Sequence, residues 1–287
     1  CLRMHYLIIM QVVLCLRKTV AINIVVTQIS IGMVMVVLIV QAYANYEQLK
    51  GGVETLFGSS ATKVLKNAEK AYTTAGQSMN DYMESTIQSA AAMISSLEGD
   101  TATAADLMDM SIIDMADNVN KMGTTMEGVQ NAYLGFSRGN FTMLDNLALG
   151  YAGTKQGMQE LLDKANELNA AQGNYTEYSI DSYADIVRAI HDVQTAMGIT
   201  GTTYKEGVET ISGSTANLKA AWDDLVAGFG KADANLDELI SHVVEGASTT
   251  LQNMLPIVEK ALVGISEFIS KAAPIVAEEL PKLIKNY

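Results

Sequence analysis

Four aspartates, Asp106, Asp109, Asp114 and Asp117, fall within one stretch of twelve residues. Carboxylates spaced in this way can ligate a cation or divide general-acid and general-base roles between them. The stretch has no DxDxDG loop with a closing Glu, so a calcium site of that kind is not encoded. Leu107, Met108, Ile112, Met115 and Val119 supply an apolar stripe at helical spacing over Thr101–Lys121, and the acids fall elsewhere on the same helix. The expectation is a solvated acidic face.

The other chemically capable residues are scattered. His5, His191 and His242 have no second His or Cys at ligand spacing, which makes each a packing or surface residue. Cys1 and Cys15, fourteen residues apart in an apolar arm, make a weak case for a disulfide and none for a metal site. Serines are plentiful, but no GxSxG elbow is present. Gly51–Gly52 lacks the GK[ST] ending of a phosphate-cradling loop. No catalytic, cofactor-binding or metal-ligating residue is assigned, and no enzyme activity is expected.

The elements around these residues are helical almost throughout. Three prolines in 287 residues, with abundant Ala, Met, Leu, Glu, Gln and Lys, favour helix. Ser182 with Asp185, Thr203 with Glu206 and Thr124 with Glu127 read as capping boxes, and Thr154 reads as a further N-cap. Gly99, Gly123 and Gly198 read as stops. Helices are expected over Glu47–Gly58, Thr62–Gly76, Ser78–Leu97, Thr101–Lys121, Thr124–Phe136, Thr154–Ala171 and Ser182–Met197. A further pattern starts at Thr203, and its apolar stripe of Leu218, Trp222, Leu225, Val226 and Phe229 needs a partner. The sixteen methionines suit gap filling in a helical core.

Both ends differ from the middle. Thr19 to Tyr46 contains no charged residue, and Arg17 and Lys18 precede it. Three readings of this arm stand side by side. Residues 19–41 can form a transmembrane helix with its basic end inside the cell. The β-branched run Val20, Ile22, Ile24, Val25, Val26, Ile29 and Ile31 equally suits a buried strand or irregular apolar segment. A change of reading frame near residue 41 is the third. At the other end, from Leu236 to Val276, an apolar stripe continues through Pro256 and Pro274 toward Pro281, each proline expected to kink the helix or begin a new one. The tail could lie at a membrane interface or pack against copies of itself, and packing is the expected use because few basic residues fall on its polar side.

Charge is divided unevenly. Arg3, Arg17, Lys18 and Lys50 against Glu47 give residues 1–50 a charge of +3, so the remainder of this −13 chain carries −16. An acidic body without a basic stripe argues against specific nucleic-acid binding.

Several sequence blocks carry a resemblance. NYEQLKGGVETLFG (45–58), DMADNVNKMGTTMEGVQNAYLGFSRGNFTMLDNLALGYAGTKQGMQELLDKA (114–165), YADIVRAIHDVQTAMG (183–198), ITGTTYKEGVETISGS (199–214) and LKAAWDDLVAGF (218–229) resemble, in order, the tail tape-measure proteins of long-tailed bacteriophages and prophages. The resemblance spans roughly residues 42 to 232. It implies a structural, non-enzymatic protein that lies in the growing tail tube, sets its length and leaves ahead of the DNA. It implies the major tail tube protein and tail-assembly chaperones as partners, self-association, a place in the virion tail lumen after assembly in the bacterial cytoplasm, and contact with the host membrane. Larger members sometimes carry peptidoglycan-cleaving domains, and no such signature is present.

The expected organisation is therefore all-α: an apolar N-terminal segment over 1–46, a tape-measure-like series of amphipathic helices with Gly-rich breaks over 47–232, and a Pro-interrupted amphipathic helical tail over 233–287. A start at Cys1 and an end on a helical pattern suggest a piece of a longer protein. The alternative class is a membrane-anchored helical sensor or secretion-associated protein, using residues 19–41 as its anchor.

Overall fold

A computed structural model describes residues 33–285. The chain is all-α, and no strand occurs among the described residues. Residues 1–32, which hold Cys1, His5, Cys15 and most of the proposed membrane segment, lie outside the described residues.

The helix expected from Glu47 is already helical at 33 and runs as α1 over 33–57, through Gly51 and Gly52. A short 3-10 turn at Gly58–Ser60 leads into α2 (Ala61–Thr74), followed by α3 (Met79–Ser96), α4 (Thr101–Met122) and α5 (Met126–Phe136). A second 3-10 turn, Leu144–Leu147, follows. Then come α6 (Lys155–Ala171), α7 (Tyr183–Ala196), α8 (Thr202–Glu209), α9 (Ile211–Gly228) and α10 (Leu236–Lys285).

Several starts follow the local code. Ser78, Ser182 and Thr154 each accept a backbone N–H from three residues on, and Asp100 accepts two, from Ala102 and Thr103. The cap of α5 is Thr125 rather than Thr124, whose hydroxyl instead donates to Asn118 Oδ1 at 2.8 Å. Gly123 closes α4 at φ +68°, a left-handed position that glycine occupies without strain.

The core is built around α4, which packs against α2, α3, α5, α7 and α8. Met83, Met93, Met108 and Met158 are fully buried among Phe57, Tyr82, Tyr133 and Phe136, so these methionines fill an interior rather than a surface. Between Ser111 and Asn118 only Ile113 is not classed as buried, and α4 has no water-facing side there. The expected solvated acidic face is thus corrected. Asp106 is exposed and paired with Lys63, but Asp114 and Asp117 are 1 % and 0 % exposed. A helix surrounded on all sides turns its polar face toward other helices, and buried carboxylates must then find donors.

Asp117 finds them at the start of α8. Its Oδ2 accepts from Gly201 N at 2.6 Å and its Oδ1 from Thr203 N at 2.7 Å. Thr203 is therefore not an N-cap. The capping residue position is Gly201, without a side chain to offer, and the carboxylate arrives from 84 residues earlier in the chain. Thr203 Oγ1 accepts instead from Asn120 Nδ2 at 3.0 Å.

The single helical pattern expected from Thr203 to Phe229 is two helices. Thr210 has extended backbone and caps α9 by accepting from Gly213 N. A Cβ on Gly213 would strike the Glu206 carbonyl, so glycine permits the two helices to fold back tightly at this point. The word GVET precedes this junction and also the one between α1 and α2. The stripe of α9 is buried at Leu225 and Val226, whereas Trp222 and Phe229 remain about half exposed.

The tail differs most from expectation. α10 is one helix of 50 residues, about 75 Å long, that passes Pro256, Pro274 and Pro281 without a break. Each proline removes one helical hydrogen bond, which at an exposed position leaves a carbonyl free to bind water. The first half of α10 lies against α9: Leu239 meets Gly228, Gly246 lies beside Leu218, and Asn253 Nδ2 donates to the Val208 and Thr210 carbonyls. His242 stacks on Tyr72 at 4.4 Å. From Met254 to Glu267 every residue is exposed.

Replacing Asp117 by Ala leaves two backbone donors of α8 without their buried acceptor. Urea unfolding should show a loss of about 2–4 kcal/mol, with partial recovery in Asp117→Asn, which keeps one acceptor oxygen.

Candidate functional site

The residues with chemical potential gather in two places. The first is the buried contact between α4 and α7. His191 Nδ1 lies 3.0 Å from both carboxylate oxygens of Asp114. The hydrogen bond that His191 makes to Asp114 raises the His191 pKa above its ordinary value, and burial raises that of Asp114 against the opposing effect of His191. Tyr133 and Tyr183 lie close by. Burial pushes the Tyr133 hydroxyl well up, with the Asp114 charge adding to it, and pushes Tyr183 up to about 12. Both phenols stay protonated at neutral pH.

An Asp–His pair is half of a nucleophilic site, since the acid orients the base. The other half is missing here. Among the described residues no Ser or Thr hydroxyl hydrogen-bonds the His191 ring, and the nearest phenols are buried and protonated. Among the described residues the hydroxyls of Tyr133 and Tyr183 and the Gln194 amide have no hydrogen-bond partner. The arrangement fastens α7 to α4. Asp192, one residue on, does the same between α7 and the end of α6, accepting from Asn169 Nδ2 at 3.0 Å and Tyr178 OH at 2.8 Å.

The second place is the start of α3. Asp224, on α9, accepts from Met79 N at 2.6 Å and is 6 % exposed. Burial pushes its pKa up to about 7, opposed by that backbone N–H. It lines a cleft of about 430 Å³ that Lys66, Lys231 and His242 also border. Asp224 repeats the arrangement of Asp117: a carboxylate from one helix serves the N-terminus of another. Sequence reading passed over it, because WDDLVAGF places Asp224 beside the solvent-facing Asp223 with nothing local to separate them.

A further cleft of about 450 Å³ lies between α3, α5 and the α8–α9 turn. Two of its amides are engaged with hydroxyls, Gln130 Nε2 donating to Ser85 Oγ at 2.9 Å and Asn120 Nδ2 to Thr203, whereas the buried Gln77 Oε1 has no hydrogen-bond partner among the described residues. Among the described residues no group of His, Cys, Asp and Glu is placed to hold a metal ion.

The largest unsatisfied features are apolar surfaces. Met33, Val34, Val36, Val37, Leu38 and Val40 are exposed on the first turns of α1, and a second exposed series runs along the free part of α10. α1 reaches the body where Tyr43 packs on Gly230, just past the end of α9, whereas α10 leaves beside Thr210, at the start of α9. The two apolar helices therefore depart from opposite ends of α9. No described helix is long and apolar enough to cross a membrane.

No family model, curated protein or solved structure matches the chain.

The raised pKa of Asp224 has a signed consequence. Between pH 4 and 7 the folded chain binds a proton there that the unfolded chain releases, so stability falls as pH rises through this window and levels off above about 7. Asp224→Asn keeps an acceptor for Met79 N and removes the buried charge. Thermal melts should show the variant more stable than the parent at pH 8, by no more than about 4 kcal/mol, and the gap should narrow steadily below pH 7 and close only near pH 4.

Proposed function

We propose that this chain is a segment of a phage tail tape-measure protein, a structural and non-enzymatic component that sets tail length during assembly and is released ahead of the DNA on infection. The observation that carries the reading is the ordered set of sequence blocks from NYEQLKGGVETLFG to LKAAWDDLVAGF. The all-α architecture agrees with it, and so does a tail helix that extends far beyond the body. A helix suits a ruler because its rise per residue is fixed. In this reading the partners are the major tail tube protein and the tail-assembly chaperones, and the site of action is the tail lumen, after assembly in the bacterial cytoplasm. An acidic body makes specific DNA binding unnecessary to the role, since ruler and genome occupy the tube in succession.

The exposed apolar turns at 33–40 favour a second reading, a membrane-anchored helical sensor or secretion-associated protein with its anchor in residues 19–41. Contact with a host membrane during infection would use the same surface within the first reading.

Tail length separates the two. Residues 254–285 make up about 48 Å of α10, of which 254–267 are exposed at every residue. Excising them from the intact parent gene should shorten assembled tails by about that length, in proportion across nested deletions measured by electron microscopy. Tails of unchanged length throughout the series would remove this region from the ruler.

A further inference from the structure

The cleft of about 450 Å³ between α3, α5 and the α8–α9 turn holds more hydrogen-bond acceptors than the protein uses. Gln77 borders it and is only 7 % exposed, yet its Oε1 has no partner among the described residues. A buried amide oxygen is costly unless a donor reaches it. The other end of this amide is turned to the protein, where Nε2 donates to Met126 Sδ at 3.6 Å.

Two further amides on the wall are turned the same way. Gln130 Nε2 donates to Ser85 Oγ, whose own hydrogen goes to the Asp81 carbonyl, and Asn120 Nδ2 donates to Thr203 Oγ1. Among the described residues the side-chain oxygens of Gln130 and Asn120 accept nothing. The helix starts at the cleft do not redress the balance, because each has its cap already: Ser78 for α3, Thr125 for α5, Asp117 for α8 and Thr210 for α9.

Charge favours the same kind of ligand. Asp81 and Glu84 stand three residues apart on α3, hence on one face, and among the described residues no Lys, Arg or His borders the cleft. Lys219, whose charge interacts with Asp81, is held by Asp223 at 2.7 Å. The rest of the wall is apolar, with Ala116, Val119, Met126 and Ala216. No aromatic ring borders it, so neither a sugar face nor a quaternary ammonium has a surface to stack on.

We propose that this cleft binds a primary ammonium group carried on a short alkyl chain. Such a group has three N–H donors and no acceptor, the complement of what the wall leaves unengaged. Its donors meet Gln77 Oε1 and the free amide oxygens, its methylenes lie against Val119 and Met126, and Asp81 and Glu84 supply the opposing charge. The site stands or falls independently of the ruler role.

Calorimetric titration of the full chain tests it, with putrescine standing for a free amine and N-acetyl-lysine amide for the side chain of a partner protein. At least one should bind saturably, one per chain, and the tighter of the two identifies the source. Butanediol and the bis(trimethylammonium) analogue of putrescine should not bind, since the first has no charge and the second no N–H donor. Gln77→Leu should weaken binding about tenfold or more, and Glu84→Gln about threefold. Glu84 is exposed, so its variant should keep the parent melt in circular dichroism and decides the matter if Gln77→Leu unfolds more easily. The inference is overturned if neither amine binds saturably, if the quaternary analogue binds as tightly as putrescine, or if either folded variant keeps the parent affinity.

Discussion

The fold depends on buried carboxylates that serve helix starts from a distance. An α-helix leaves its first N–H groups without partners, and the usual remedy is a side chain immediately before it. At α8 that position is Gly201, which has none to give. Asp117 supplies both acceptors from the middle of α4, and in doing so fixes where α8 begins and how it sits on the central helix. Asp224 acts in the same way between α9 and α3, in addition to the local cap from Ser78. These bonds are short and shielded from water, which makes the loss of either acceptor costly. They also commit the core to polar groups that must find partners across the body.

Much of the fold was legible in the sequence because much of it is locally determined. Ser182 and Thr154 cap the helices they precede, Gly123 ends α4, and Leu107, Met108, Ile112 and Met115 of the stripe read on α4 are buried. What could not be read depends on partners far away in the chain. Thr203 and Glu206 have the spacing of a capping box, but the helix begins at Thr202, and the Thr203 amide that Glu206 would serve is taken by Asp117. Thr210 breaks a continuous helical pattern because Gly213 permits a close approach to Glu206 that no periodicity encodes. The acids of α4 looked solvated because an aspartate facing water and an aspartate facing an orphan amide have the same spacing.

The candidate sites follow the same division. Isolated histidines were expected to be packing residues, and His191 and His242 are held by Asp114 and Tyr72 respectively. That His191 would meet a buried acid 77 residues away was not legible, since only the crossing of α4 and α7 brings them together. The apolar stripe of the tail was legible, but its continuity was not. Proline is a strong local signal for a break, and an exposed helix can lose one hydrogen bond to water and continue.

α10 also divides the molecule mechanically. Asn253 is the last residue that ties it to the α8–α9 turn, and Pro256 follows three residues later. Proline there leaves the Gln252 carbonyl without its helical donor, which makes this turn a compliant point of the rod. Bending is thereby concentrated just outside the last anchor. A transverse load on the far end swings the rod about that turn and spares the α9 contacts, whereas a pull along the axis is delivered directly to Asn253. The helix is thus soft as a lever and stiff as a tether.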